Sequence, residues 1–274
     1  MSGILYVVGT PIGNLGDISP RALQTLEDCD FIAAEDTRVT LKLLNHFNIK
    51  KSLVSYFEHN KLERGEDIVG RILNGQNCAL VTDAGMPAIS DPGQELVAQC
   101  HDADVPVRVV PGPCAFVSAL AVCGLSTGRF TFEGFLSTNK LSRREHLKSL
   151  VGEKRTMVFY EAPHKLSSTL HDLFEALGDR KIVIVREITK IYEEVIRTTL
   201  ANASQDYAQG GLKGEIVIVI EGASFDSEDS PTLENALELA MAMVDGGMSI
   251  NEASKLSAKQ TGIKKGDIYK KLQN

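Results

Sequence analysis

The sequence predicts an α/β protein: two α/β domains, the first on a parallel sheet and the second on a mixed sheet, plus a small C-terminal helical unit. Three observations carry this. Strand-sized apolar runs alternate with amphipathic segments over residues 1–124. The rhythm restarts near Leu125-Ser126-Thr127-Gly128 and continues to 221. An acidic stretch at 222–230 then precedes helical patterning at 231–274.

In the first domain the strands are Ile4 to Val8, Phe31 to Ala34, Ser52 to Tyr56, Cys78 to Thr82 and Val107 to Val110. Amphipathic segments fill the gaps. One starts at Ser19-Pro20, a capping residue followed by proline at the first helical position. Short buried strands separated by helices pair in parallel. In the second domain the strands are Phe130 to Phe135, Thr156 to Tyr160, Lys181 to Arg186, Glu193 to Leu200 and Glu215 to Ile220. The fourth follows the third without room for a helix, which predicts an antiparallel pair and so a mixed sheet.

Glu221 to Ser230 holds four acids and no base among serine and glycine, the composition of a solvated linker. Beyond it, Leu233, Ala236, Leu237 and Ala240 make one helical face and Gly246-Gly247 ends it. Ser249 caps a second helix, and Thr261-Gly262 turns into a third that reaches Leu272. This is helix-turn-helix-like patterning, which serves nucleic-acid binding in some proteins and packing or dimer formation in others.

Composition excludes several classes. The net charge of -7 rules out a generally basic nucleic-acid coat, leaving local patches. No apolar run approaches the roughly 18 residues that span a bilayer, and the N-terminus lacks a basic n-region, so a cytoplasmic protein without a membrane partner is expected. The five cysteines form no CxxC pair and neither they nor the six histidines have metal-ligand spacing; reduced thiols and no metal are the expectation.

Three glycine- and proline-rich loops follow strands of the first domain: Gly9-Thr10-Pro11-Ile12-Gly13-Asn14, Asp83 to Gly93, and Pro111-Gly112-Pro113-Cys114-Ala115. The carboxyl ends of strands in open α/β sheets favour ligand binding, and small residues there present backbone groups without obstruction. Neither a Gly-Lys-Ser/Thr ending nor GxGxxG is present, which removes the main support for NTP hydrolysis or hydride transfer. Asp83 and Asp91 are possible polar anchors, with local capping as the alternative role of each; Asp91-Pro92 has the form of a helix start.

Together with Ala34-Glu35-Asp36-Thr37-Arg38 and Phe159-Tyr160-Glu161-Ala162-Pro163-His164, the first two loops strongly resemble the tetrapyrrole methylase superfamily, over essentially the whole chain. The resemblance, within the ribosomal-RNA-modifying branch, implies an S-adenosylmethionine-dependent enzyme. It would methylate the ribose 2'-hydroxyl of a cytidine in the decoding region of small-subunit (16S) ribosomal RNA, and act as a homodimer. By the family pattern Gly9, Thr10 and Pro11 border the cofactor cleft, and Asp83, Ala84, Gly85, Met86 and Pro87 contact the methionine portion. Pro113, Cys114 and Ala115 form a wall, Phe159, Tyr160, Glu161 and Ala162 approach adenine or ribose, and Lys213 and Gly214 close the far side.

A ribose hydroxyl is a poor nucleophile until its proton is removed. Glu35, Asp36, His59, Asp91, Glu161 and His164 are the candidate bases, with Asp36 and His59 favoured by their position at strand ends; Asp36 is equally suited to cap the helix from Thr37, and His59 to be a plain surface histidine. RNA contact is expected from two patches. Ser137 to Arg155 carries six bases, including Lys140, Arg143, Arg144 and Lys148, against two acids, and Ser249 to Asn274 carries six lysines, including Lys264 and Lys265, against two acids. Solvated helix faces are the alternative for both. Competing functions are a methyltransferase for a tetrapyrrole or other small molecule, and a non-catalytic nucleic-acid-binding module.

Overall fold

The computed structural model describes residues 2–223 and 233–273. Most of the acidic linker expected at 222–230 therefore lies outside the described residues. The chain divides into two compact units, Met1–Glu221 and Gly222–Asn274.

The first unit holds two five-stranded sheets. Strands β1 (Leu5–Val8), β2 (Phe31–Ala34), β3 (Ser52–Ser55), β4 (Cys78–Val81) and β5 (Val107–Val110) pair in parallel in the order β3-β2-β4-β1-β5. Helices α1 (Pro20–Asp28) and α2 (Thr37–His46) cover one face, where Ala22, Leu26 and Leu44 meet Ile32, Ala34 and Val81. Helices α3 (Lys61–Leu73) and α4 (Gln94–Asp102) cover the other, with Ile68, Ile72 and Leu96 against Leu5, Phe31 and Leu80. Both faces are thus apolar, which is why these strands read as continuous hydrophobic runs. The Ser19 hydroxyl caps α1 by accepting from the Ala22 amide at 3.0 Å.

Helix α5 (Ala115–Cys123) follows β5 in sequence but packs beneath the second sheet. That sheet is mixed: β6 (Phe130–Phe135) and β7 (Thr156–Glu161) are parallel, and β8 (Lys181–Arg186), β9 (Glu194–Thr199) and β10 (Ile216–Ile220) complete the order β6-β7-β10-β8-β9 through antiparallel pairs. Strand β10 displays the two-residue period plainly. Ile216, Ile218 and Ile220 join the core under α6 (Lys140–Ser149), α7 (Leu166–Leu177) and α8 (Leu200–Asp206), while Val217 and Val219 meet Ala119 and Leu120 of α5.

The second unit contains α9 (Leu233–Asp245), α10 (Ile250–Thr261) and α11 (Lys265–Leu272), centred on Ala236, Ala240, Ala253 and Ile268. Ser249 caps α10 as expected, and Gly262 ends it in the left-handed conformation with φ +74°. Among the described residues no helix is long and apolar enough to cross a membrane, and all five cysteines are free thiols.

Candidate active site

The loops after β1, β4 and β5 are fastened to one another by backbone. Thr10 and Gly85 exchange hydrogen bonds, Thr10 N to Gly85 O at 2.9 Å and Gly85 N to Thr10 O at 3.1 Å. The Thr10 hydroxyl also donates to the Thr82 carbonyl at 3.2 Å. Gly9 and Gly112 lie main chain to main chain: a Cβ on Gly112 would sit 2.8 Å from Gly9 backbone atoms, and one on Gly9 would sit 2.7 Å from Gly112. Only glycine permits that approach. Gly85, at φ +86°, holds a turn that a side chain would strain.

Beside this clasp lies a cavity of about 340 Å³. Ala84, Gly85 and Met86 line it together with Cys114 and Ala115, and Tyr160, Glu161 and Ala162 join them from the end of β7. A second cavity of about 380 Å³ shares Ile12, Ala84 and Glu215 with the first, and Thr10, Pro11 and Asp83 lie on its wall. The first therefore gathers eight of the expected cofactor residues, against four on the wall of the second. It draws its walls from both sheets, and the Phe116 amide, donating to the Tyr160 hydroxyl at 3.2 Å, ties α5 to β7 at its edge. Burial pushes the Tyr160 phenol up to about 12.

Other expected residues stand elsewhere. Gly9 serves the loop contact, and Phe159 is fully buried in the core of the second sheet. Pro87 and Pro113 line neither cavity. Lys213 and Gly214 border a separate groove with Pro163 and His164, and the Lys213 carbonyl accepts from Arg186 Nη1 at 3.0 Å. Ile89, Ser90, Asp91, Phe135, Ile188, Glu215, Ile216 and Val217 also line the cavity. The antiparallel entry of β10 explains the last three: Ile216 pairs with both Glu161 and Arg186, so the start of β10 lies beside the ends of β7 and β8.

The carboxylates separate into distinct roles. Asp36 is the N-cap of α2: its Oδ1 accepts from the Arg38 amide at 2.8 Å, and its two oxygens take a bidentate grip from the Arg38 guanidinium. Those hydrogen bonds hold its carboxyl down at about 2. A carboxylate so occupied has little affinity for a proton, which argues against Asp36 as the base. His59 is exposed in the turn before α3, edge-on to Phe57 with ring centroids 6.2 Å apart, and lines neither cavity.

Asp91 behaves differently. Helix α4 starts only at Gln94, with Gly93 at φ +147° as its N-cap, so Asp91 is free of the capping role that Asp91-Pro92 foretold. It is half-buried on the wall of the first cavity. Burial first, then the nearby Glu35 carboxylate and, weakly, Asp83, push it up to about 6 against a smaller opposing influence of the nearby Thr82 hydroxyl. Glu35 itself accepts from the Thr82 hydroxyl, and Asp83 accepts from the Asp36 amide at 3.1 Å.

Of the basic residues expected to meet RNA, Lys140, Arg144 and Lys148 form an exposed stripe at i, i+4, i+8 of α6. Arg143 does not belong to it. Its side chain, 15% exposed, is tied to Asp172 at 2.6 Å and to the Thr169 hydroxyl at 2.9 Å. Thr169 in turn donates to buried Glu161, so Arg143 braces the cavity wall through that hydroxyl.

Residues 4–204 match the family described as Tetrapyrrole (Corrin/Porphyrin) Methylases. The chain belongs to the tetrapyrrole methylase family. Among curated relatives of this methylase, "Ribosomal RNA small subunit methyltransferase I" of Synechocystis sp. is 46% identical over 268 residues, 97% of this chain and 96% of that one. The protein of the same name from Thermotoga maritima is 48% identical over 220 residues, covering 80% of this chain and 99% of its own. Among solved structures, uroporphyrin-III-C-methyltransferase from Thermus thermophilus has the same fold, with a TM-score of 0.57 at 19% identity over 80% of this chain and 94% of that one. The cofactor of this methylase is S-adenosylmethionine. The residues fit it: the cavity pairs apolar walls suited to an adenosine with the carboxylate of Asp91, whose charge complements a sulfonium or ammonium group.

Proposed function

We propose that this protein methylates small-subunit (16S) ribosomal RNA, at the ribose 2'-hydroxyl of a cytidine in the decoding region. The observation that carries the reading is 46% identity, over nearly the full length of both chains, to a protein named as a small-subunit ribosomal RNA methyltransferase. Asp83, Ala84, Gly85 and Met86 would hold the methionine end of the cofactor, and Cys114, Ala115, Tyr160 and Ala162 the adenosine. Bound S-adenosylmethionine supplies an electrophilic methyl group.

The chain's own contribution is positioning and proton transfer. The 2'-hydroxyl must be held in line with the methyl group, and orientation alone supplies a large share of such accelerations. Asp91 accepts the hydroxyl proton: of the three carboxylates on the cavity wall, Glu215 is paired with Lys190 at 2.8 Å and Glu161 is taken up by the Ala162 amide and the Thr169 hydroxyl, while Asp91 has neither a helix cap nor a cationic partner among the described residues. The α6 stripe of Lys140, Arg144 and Lys148 grips phosphates. The reading includes a cytoplasmic homodimer, with 1–124 and 125–221 as its two methylase domains.

The test is transfer of labelled methyl from S-adenosylmethionine to small subunits lacking the modification, with the product mapped to the nucleotide. A single ribose-methylated cytidine in the decoding region is expected. Label on a base, or none on subunits or free RNA, overturns the reading and moves the search to small-molecule acceptors.

A further inference from the structure

The second unit is sorted by charge. Helix α9 carries Glu234, Glu238 and Asp245 and no base. From Ser249 onward, α10, α11 and the turn between them carry six exposed lysines against Glu252 and Asp267. Among the described residues none of those lysines makes an ion pair; Lys265 donates to Asn251 Oδ1 at 2.7 Å. Small residues bring the acidic and basic helices close, with Ser257 Oγ donating to the Ala236 carbonyl at 2.6 Å, so the sorting is fixed within one packed body.

A second, independent observation concerns the Thermotoga maritima relative. Its 220 matched residues are 99% of that chain, about the span of the first unit here, which ends at Glu221. That name is thus carried by a chain about as long as the first unit alone.

We propose that the second unit is an RNA-affinity module, separable from catalysis, whose α10–α11 lysine face binds phosphates of the ribosomal RNA while acidic α9 is repelled from them. The inference rests on the functional reading above. The module acts on KM and leaves kcat alone, because contacts to phosphates that take no part in the reaction bind ground state and transition state alike. Its acidic helix restricts the orientations in which RNA can dock.

The test uses the full chain with Lys259, Lys264, Lys270 and Lys271 all changed to Gln, and a matching set changed to Arg. Expected for the Gln set is a KM for small subunits raised roughly tenfold at unchanged kcat. The slope of log affinity against log salt should be shallower by up to about 3, at roughly 0.7 per lost phosphate contact. The Arg set should match the parent. Binding of a 16S ribosomal RNA fragment, followed by fluorescence anisotropy without methyl donor, should show the same change in slope. A Gln set with the parent's KM and slope overturns the module, as does a fall in kcat alone or an Arg set as impaired as the Gln set. A parent that binds the fragment but methylates no RNA sinks the functional reading instead, and the anisotropy slopes still decide the module.

Discussion

Two turns of the first sheet, one after β2 and one after β4, each carry an aspartate past the end of a buried strand. Asp36 satisfies the amide end of α2 and holds Arg38, so its charge is committed to local structure. Asp91 sits in an eleven-residue loop, Asp83 to Gly93, whose helix takes Gly93 as its cap instead. The difference teaches that the cap decides which carboxylate is left for chemistry. A glycine cap two residues downstream frees Asp91, and half-burial beside Glu35 and Asp83 then raises its proton affinity toward neutrality.

The sharpest way to break this contrast is Asp91→Asn. Loss of a general base removes roughly 10²–10⁴-fold in rate, so kcat at saturating cofactor should fall by that order, while cofactor binding, measured by calorimetry, weakens with the lost negative charge but stays detectable. The parent's kcat/KM should rise with pH through about 6 and level off, since Asp91 works ionised and faces Glu35, Asp83 and the Tyr160 phenol; the variant should lose that rise. A variant of parental rate ends the assignment.

Next is Gly112→Ala. The added Cβ meets Gly9 backbone at 2.8 Å, and no rotamer change relieves a main-chain clash. A loss of about 2 kcal/mol in denaturant unfolding, with weaker cofactor binding, is expected. Stability separates the aspartates again, with opposite signs. A carboxyl raised in the folded state binds its proton more tightly there, so Asp91 makes the fold less stable as pH rises through about 6. Asp91→Asn should therefore gain about 1 kcal/mol at pH 8, after discounting for partial exposure, and nothing near pH 4. Asp36 is depressed to about 2, so its contribution is present above about 4 and lost as pH falls through 2. Asp36→Asn, which keeps a capping oxygen, should show the smallest effect: a slight drop in Tm at pH 7 and a kcat within about twofold of the parent.

The strands were legible because both sheets are buried on two faces or alternate cleanly. Runs such as Cys78 to Thr82 and Glu215 to Ile220 leave little else to form, and the structure assigns Cys78–Val81 and Ile216–Ile220. The α1 start was legible in Ser19-Pro20 because capping is local chemistry. What escaped depended on distant partners. That α5 serves the second sheet, that Glu215 and Ile188 reach the cavity, and that Arg143 turns inward to Asp172 are consequences of packing. Asp91 was misleading for a local reason: Asp-Pro is good helix-start grammar, and Gly93 overrode it.

The wall between the two cavities has a consequence for how such a protein diversifies. Ile12 and Ala84 face both spaces, on loops that the Thr10–Gly85 bridge fastens together. A bulkier residue at either position takes room from both sides at once. Sequence drift there is consequently read twice, and a lineage that alters residue 12 or 84 must re-tailor two opposing walls in the same step.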